Sequence, residues 1–139
     1  MTDLELAKSA LAGHTLALAR DGEVVTHDGR GISPMMEFLA AGRDLRGFSA
    51  ADLVVGRAAA MLFVLAGVRT VYAETMSEGA RAYLLAHGVA AEYQTLTDGI
   101  RNRAGTGPCP MEAAVREVDL PEEGYRVLAE TIRKMKGAS

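Results

Sequence analysis

The sequence has little of several residue types on which whole classes of function depend. It contains one cysteine, which excludes an internal disulfide and makes a reducing cytoplasm the expected location. Tryptophan is absent and aromatic residues make up 5% of the chain, so stacking platforms for single-stranded nucleic acid are not expected. The formal net charge is -3, and the basic surplus typical of nucleic-acid binders is missing.

Long apolar runs are missing as well. The longest, from Ala58 to Val68, is too short to cross a membrane. The first residues show no basic segment followed by an apolar one, so we expect no signal peptide. What remains is an ordinary balance for a soluble protein, with 49% hydrophobic and 24% charged residues among 139. This length and composition predict a single domain, 1–139, with a sizeable core.

The most informative stretch runs from Asp52 to Glu74. A β-rich segment leads into Ala58 to Ala66, which is apolar on every helical face, and Gly67 and a β-branched strand follow. A helix without a polar face is buried between other layers in a soluble protein. This segment is therefore the predicted centre of the fold.

The remaining patterns surround this centre with alternating helices and strands. The dipeptide Asp21-Gly22 predicts a tight hairpin turn, and Ser33-Pro34 is typical of an N-cap and first helical position. We expect further elements as follows: helix Asp3 to Gly13, helix Met35 to Ala41, a polar connection Arg43 to Ala51, helix Ser77 to His87, strand Val89 to Leu96, a polar loop Thr97 to Pro108, and helices beginning at Cys109 and Asp119. The order predicts an α/β fold, a three-layer α/β/α sandwich whose mixed sheet begins with an antiparallel hairpin.

Several local strings resemble a small prokaryotic family of uncharacterised domains with the cytidine deaminase-like fold. They cover nearly the whole chain in the family's order, and they are Arg30 to Pro34, Ala51 to Ala60, Val71 to Glu74, Ile100 to Arg103 and Cys109 to Glu112. The resemblance implies a cytidine deaminase-like domain over residues 1–139. It supplies a fold and no reaction.

The zinc motifs of deaminases are absent from the sequence. Zinc deaminases place a His or Cys and a catalytic Glu at the start of the central helix, and two cysteines at the start of the next. Here those positions read Gly56-Arg57-Ala58-Ala59 and Thr75 to Ala80, without thiolate or imidazole. Because a catalytic zinc needs three protein ligands, we expect no metal, no cofactor and no zinc-dependent deamination.

Arg57 is the most informative charged residue. It lies at the amino end of the central helix, where the helix dipole disfavours a cation, so an anion is expected nearby. In one interpretation, Gly56, Arg57 and the helix amides bind a phosphate or carboxylate of a ligand. In the other, Arg57 pairs with Asp52 or Glu74 within the fold.

Cys109 is the best candidate nucleophile, because Pro110 fits a first helical position and makes Cys109 the N-cap. The partial positive charge there favours the thiolate, and Glu112 could act as its acid or base, with help from Arg103. The structural alternative carries more weight. Glu112 is then a capping-box carboxylate and Cys109 a small buried residue.

Three other positions complete the candidate site. Asn102 is suited either to contact a ligand or to form a turn. Ser77 is suited to cap a helix beside the site, and Asp52 to cap or orient the central helix. Since ligands bind at the carboxyl ends of parallel strands, we expect Gly56, Ser77 and Asn102 to open on one edge.

Three functions are compatible with these residues. The leading hypothesis is binding of an anionic or nucleotide-like small molecule by Gly56, Arg57, Ser77, Asn102 and Arg103. The second is a cysteine-dependent enzyme using Cys109 and Glu112. The third is a non-catalytic module that forms a homo-oligomer or binds a partner, for which the sign would be an exposed apolar patch. Neither nucleic acid nor a membrane is an expected partner.

Overall fold

The computed structural model describes residues 1–101 and 109–137. The elements in this part of the chain are α1 (Asp3–Ala10), β1 (Leu16–Arg20), β2 (Glu23–His27), α2 (Ser33–Ala40), β3 (Ser49–Val55), α3 (Arg57–Ala66), β4 (Thr70–Ser77), α4 (Glu78–Ala86), β5 (Ala90–Thr97), α5 (Pro110–Ala114) and α6 (Pro121–Gly137).

The five strands form one mixed sheet in the order β2-β1-β3-β4-β5. The hairpin β1–β2 and the pair β1–β3 are antiparallel, whereas β3–β4 and β4–β5 are parallel. The hairpin turn has positive φ angles at both Asp21 (50°) and Gly22 (86°), as its sequence predicts. The predicted α/β architecture with an amino-terminal hairpin is therefore confirmed.

Each face of the sheet has its own core. On one face, α1 packs Ala7 and Leu11 against small residues of β1 and β3. On the other face, α3 and α4 contact the sheet, α2 and α6 pack against α3, and together they form a larger core that includes Phe48, Phe63 and Leu128. The fold therefore has three layers, the sheet and a helical layer on each face, and the helical layer formed by α1 is much the smaller.

Helix α3 lies at the centre of the larger core. Seven of its ten residues are buried, because it has no polar stripe to turn towards water. It ends at Gly67, whose φ of 78° is the left-handed conformation that glycine adopts without strain. Helix α6 crosses it closely, since a Cβ on the buried Gly124 would meet the Met61 sulfur at 2.9 Å.

Three local predictions were wrong. Strand β3 begins at Ser49, inside the predicted polar connection, because its first residues pair with β1 and β4. Ile32 is the N-cap of α2, and the Ser33 hydroxyl bonds to the Arg30 carbonyl instead. The apolar spacing of the last helix predicts a core face of Tyr125, Leu128, Ala129 and Ile132, but Ala129 is exposed.

Within the described residues, the helices are too short or too polar to span a bilayer.

Candidate functional site

The carboxyl ends of the parallel strands bring several predicted positions to one edge of the sheet. Val55 pairs with Met76, and Ser77 pairs with Thr97, so the starts of α3 and α4 are neighbours there. Helix α5 joins the same edge, because the Cys109 amide donates to the Ile100 carbonyl at 3.0 Å. A site at this edge can therefore use α3, α4 and α5.

The amino end of α3 is bound by the side chain of Glu112. Its two carboxylate oxygens accept hydrogen bonds from the amides of Arg57 and Ala58, both at 2.7 Å. Helix α3 needs such an acceptor, since its N-cap is a glycine and its first turn contains no acidic residue. A carboxylate from α5 thus supplies the negative charge that the sequence of α3 lacks.

Gly56 makes room for this contact. A Cβ there would overlap the Glu112 carboxylate and would lie 2.8 Å from Ile100 Cγ1. The backbone of Gly56 is extended, with φ of -100°, so the requirement for glycine at this position comes from space alone. Only glycine allows an anion to approach α3 this closely.

The side chain of Arg57 points away from the Glu112 carboxylate and binds the segment after α5. Its guanidinium donates to the carbonyls of Val115 (3.0 Å) and Val118, and lies 4.9 Å from the centre of the Tyr83 ring. It also lies 3.3 Å from the carboxylate of Asp119, whose side chain is 96% exposed, so that ion pair adds little. The predicted internal pairing of Arg57 with Asp52 or Glu74 was wrong, since its partners lie about 60 residues further along the chain.

Tyr83 of helix α4 also binds the segment that follows α5. Its hydroxyl donates to the Asp119 carbonyl at 2.6 Å, and its ring stacks on His87 with centroids 4.1 Å apart. Burial raises the pKa of the Tyr83 hydroxyl, so the hydroxyl stays protonated, and a donor, well above neutral pH. No sequence signal pointed to this role of Tyr83, because its hydrogen bond to Asp119 and its contact with Arg57 join distant elements.

Cys109 is the N-cap of α5 and Pro110 its first residue, as predicted. The thiol is half-buried and free. Glu112 does not form the expected capping box with Cys109, because both of its oxygens are bound to α3. General acid or base action by Glu112 would require it to leave those amides, and the catalytic roles of both residues stay predictions.

The other predicted ligand contacts have different outcomes. Ser77 is 3% exposed and caps α4, with its Oγ accepting from the Ala80 amide at 3.0 Å. Asn102 and Arg103 lie outside the described residues. Ligand binding by these three side chains therefore stays a prediction.

Asp52 does not cap α3, so that prediction was wrong. It lies in β3 between Leu16 of β1 and Ala73 of β4, and its carboxylate accepts from the Leu53 amide at 2.8 Å. Burial raises the pKa of Asp52 to about 7, although hydrogen bonds from the Leu53 and Val54 amides favour the charged form. A half-buried carboxyl group that titrates near neutrality was not evident from the sequence.

Among the surface features of the described residues are two open depressions with linings that do not include the start of α3. One, of about 330 Å³, runs beside Leu39, Arg43 and Leu65, and the other, of about 270 Å³, lies beside Lys8 and Tyr72. Across residues 1–101 and 109–137, no three His, Cys, Asp or Glu side chains form a cluster that could hold a metal ion.

These features define an α/β domain with a mixed five-stranded sheet and a central helix capped by a distant carboxylate. The family described as TM1506, domain of unknown function (DUF1893), matches residues 6–132. The chain belongs to this family, which confirms the resemblance to a family of uncharacterised domains inferred from its motifs.

One solved structure of the same family shares the fold, and two others are less similar. A DUF1893 family protein (TM1506) from Thermotoga maritima has a TM-score of 0.82 and 24% identity, covering 94% of this chain and 92% of that one. The apo dCMP deaminase of cyanophage S-TIM5 has a TM-score of 0.46 and 12% identity, covering 65% of this chain and 92% of its own. A diaminohydroxyphosphoribosylaminopyrimidine deaminase/5-amino-6-(5-phosphoribosylamino)uracil reductase from Thermotoga maritima has a TM-score of 0.41 and 19% identity, covering 66% and 34%. No curated protein matches this chain.

Proposed function

We propose that this domain binds a small anion, either a carboxylate or the phosphate of a nucleotide-like molecule, at the amino end of α3. One observation carries the proposal: both oxygens of the Glu112 carboxylate are held by the adjacent amides of Arg57 and Ala58 at 2.7 Å. In other proteins, backbone amides at the amino end of a helix, where the helix dipole is positive, bind phosphate and carboxylate ligands.

The position of this anion site within the fold also supports ligand binding. Ligands of α/β proteins favour the carboxyl edge of the parallel strands, where Gly56 follows β3 and Ser77 is the last residue of β4. Gly56 leaves space for an anion that any side chain would fill. Arg57 does not serve as a direct ligand in this arrangement, since its guanidinium binds the Val115 and Val118 carbonyls.

Glu112 and the ligand compete in this proposal. Two charge-assisted hydrogen bonds at a helix amino end stabilise the closed form by about 3 kcal/mol. A closed form favoured by that amount lowers the affinity of the wild-type chain for an external anion roughly a hundredfold. Ligand binding would release Glu112 and shift α5.

The test compares wild type with Glu112→Gln and Glu112→Ala. Thermal shift and calorimetry are carried out with inorganic phosphate, acetate and a nucleoside monophosphate, and with the uncharged nucleoside as control. We expect both variants to bind the anions more tightly than wild type, and the nucleoside to have no effect. Equal or absent binding in all three proteins would refute the proposal.

A matched control separates this effect from a general change of charge. Glu117 is exposed and lies in the segment after α5. Glu117→Gln removes the same charge without uncovering the α3 amides, so its anion affinity should equal that of wild type. A gain of affinity in Glu117→Gln as large as in Glu112→Gln would show that only net charge matters.

A further inference from the structure

The outermost strand β5 is uncovered to an unusual degree. None of its eight residues is buried, and Tyr93 and Leu96 keep 38% and 37% of their surface exposed. Within residues 1–101 and 109–137, β4 is the one strand that pairs with it, so its other edge has no strand partner in the described part of the chain. An exposed strand edge carries unpaired amides and carbonyls that can bind another strand.

The opposite edge of the sheet is protected, which makes the contrast informative. Strand β2 has five residues, and polar side-chain contacts tie down both of its ends: Glu23 with Arg43 at 3.1 Å and His27 with Glu37 at 2.9 Å. Strand β5 contains neither proline nor lysine, the residues that commonly block such edges. Its one charged residue, Glu92, lies 3.7 Å from Lys8.

We propose that β5 pairs antiparallel with β5 of a second copy of this chain, with Tyr93 at the twofold axis. This is independent of the anion site. The two sheets would then join into one sheet of ten strands, and neither copy would keep an open β5 edge.

The distribution of charge and apolar surface along β5 selects this register. When Tyr93 lies opposite Tyr93 of the second copy, Glu92 lies opposite the neutral Gln94 of that copy, and the exposed Leu96 lies opposite its Ala90. Shifting the centre to Glu92 sets two carboxylates directly opposite, which is unfavourable. Shifting it to Gln94 sets Glu92 against Leu96. Only the register centred on Tyr93 covers both large apolar side chains without setting Glu92 opposite another carboxylate or an apolar side chain.

Helix α4 can extend the contact beyond the strands. It packs against β5 in the sandwich, and its Leu85 is 48% exposed. Exposed apolar residues beside an open edge are typical of a surface that is covered in an oligomer.

Two substitutions at Gln94 test the register with matched chemistry. Gln94→Lys places a cation opposite Glu92 of the second copy, and Gln94→Glu places a carboxylate there. The pair occurs twice across the axis, so we expect the dimer dissociation constant to change roughly 2- to 30-fold, downward for lysine and upward for glutamate. Analytical ultracentrifugation of wild type should show a species near twice 14.7 kDa.

A disulfide tests the position of the axis. In a Cys109→Ser background, Tyr93→Cys should form an intermolecular disulfide on mild oxidation, because the two Cα atoms at the axis lie about 5 Å apart. Thr95→Cys should not, since its two copies would be more than about 10 Å apart.

Three results would overturn the proposal. The first is a monomer at about 100 μM, a concentration at which stable interfaces form. The second is an equal response of the dimer to Gln94→Lys and Gln94→Glu, which would place the interface elsewhere. The third is equal cross-linking at positions 93 and 95.

Discussion

Removing the Glu112 carboxylate should destabilise the whole domain, because it caps the central helix from a distance. Glu112→Ala deletes two hydrogen bonds of 2.7 Å to the Arg57 and Ala58 amides and leaves those donors without their acceptor. Hydrogen bonds to charged groups contribute about 1.5–3 kcal/mol each, and neighbouring bonds to one carboxylate are not additive. Water can reach part of the site, since Glu112 is half-buried. We therefore expect a loss of about 2–4 kcal/mol.

Urea denaturation and thermal unfolding measure this loss directly. A change of about 3 kcal/mol in a domain of this size lowers the Tm by roughly 10 °C. Glu112→Gln, which keeps one acceptor oxygen, should lose about half as much. Glu117→Ala, at an exposed position on the same segment, should change the free energy of unfolding by less than about 0.5 kcal/mol. If Glu112→Ala were as stable as Glu117→Ala, the cap would contribute nothing and the reasoning would be wrong.

Three further predictions concern the same edge and its surroundings. Burial raises the pKa of Asp52 to about 7, so the folded state binds this proton more tightly than the unfolded chain. The resulting stabilisation is complete below about pH 4 and is lost as the pH rises towards 7. The free energy of unfolding falls by at most about 4 kcal/mol over this range, and by less than that because the Asp52 side chain keeps some exposure to water. Asp52→Asn should flatten this pH dependence in urea titrations, and an unchanged slope would contradict it. Gly56→Ala should displace Glu112 and lower stability about as much as Glu112→Ala, and the double variant should be clearly better than additive. A fully additive double variant would mean that the two residues act separately. Iodoacetamide should label the half-buried Cys109 no faster than a free thiol; much faster labelling at pH 6 would instead favour the nucleophile hypothesis.

Local sequence signals predicted the elements that depend on neighbouring residues. The Asp21-Gly22 turn, the helix stop at Gly67 and the Ser77 cap each follow from backbone preferences within a few residues, and each is present. The apolar run of α3 likewise leaves a soluble protein only one place for that helix, in the core.

Contacts between distant segments were beyond such signals. Glu112 lies three residues after an N-cap, so a local capping box was the natural expectation, yet its carboxylate binds a helix 54 residues earlier in the chain. Arg57 was expected to need an anion, and peptide carbonyls of the α5–α6 connection satisfy it instead. Strand β3 begins at Ser49 because β1 and β4 both pair with it there, and the small residues of this segment do not predict a strand by themselves.

The most direct test of the anion site follows the α3 amides themselves. In ¹⁵N-labelled Glu112→Gln, phosphate should shift the amide resonances of Arg57 and Ala58 in a saturable way, with far smaller changes at the same phosphate concentrations in wild type. If those two resonances stay still while phosphate is added, or move only with ionic strength as sodium chloride moves them, the amino end of α3 is a closed structural cap and no ligand site.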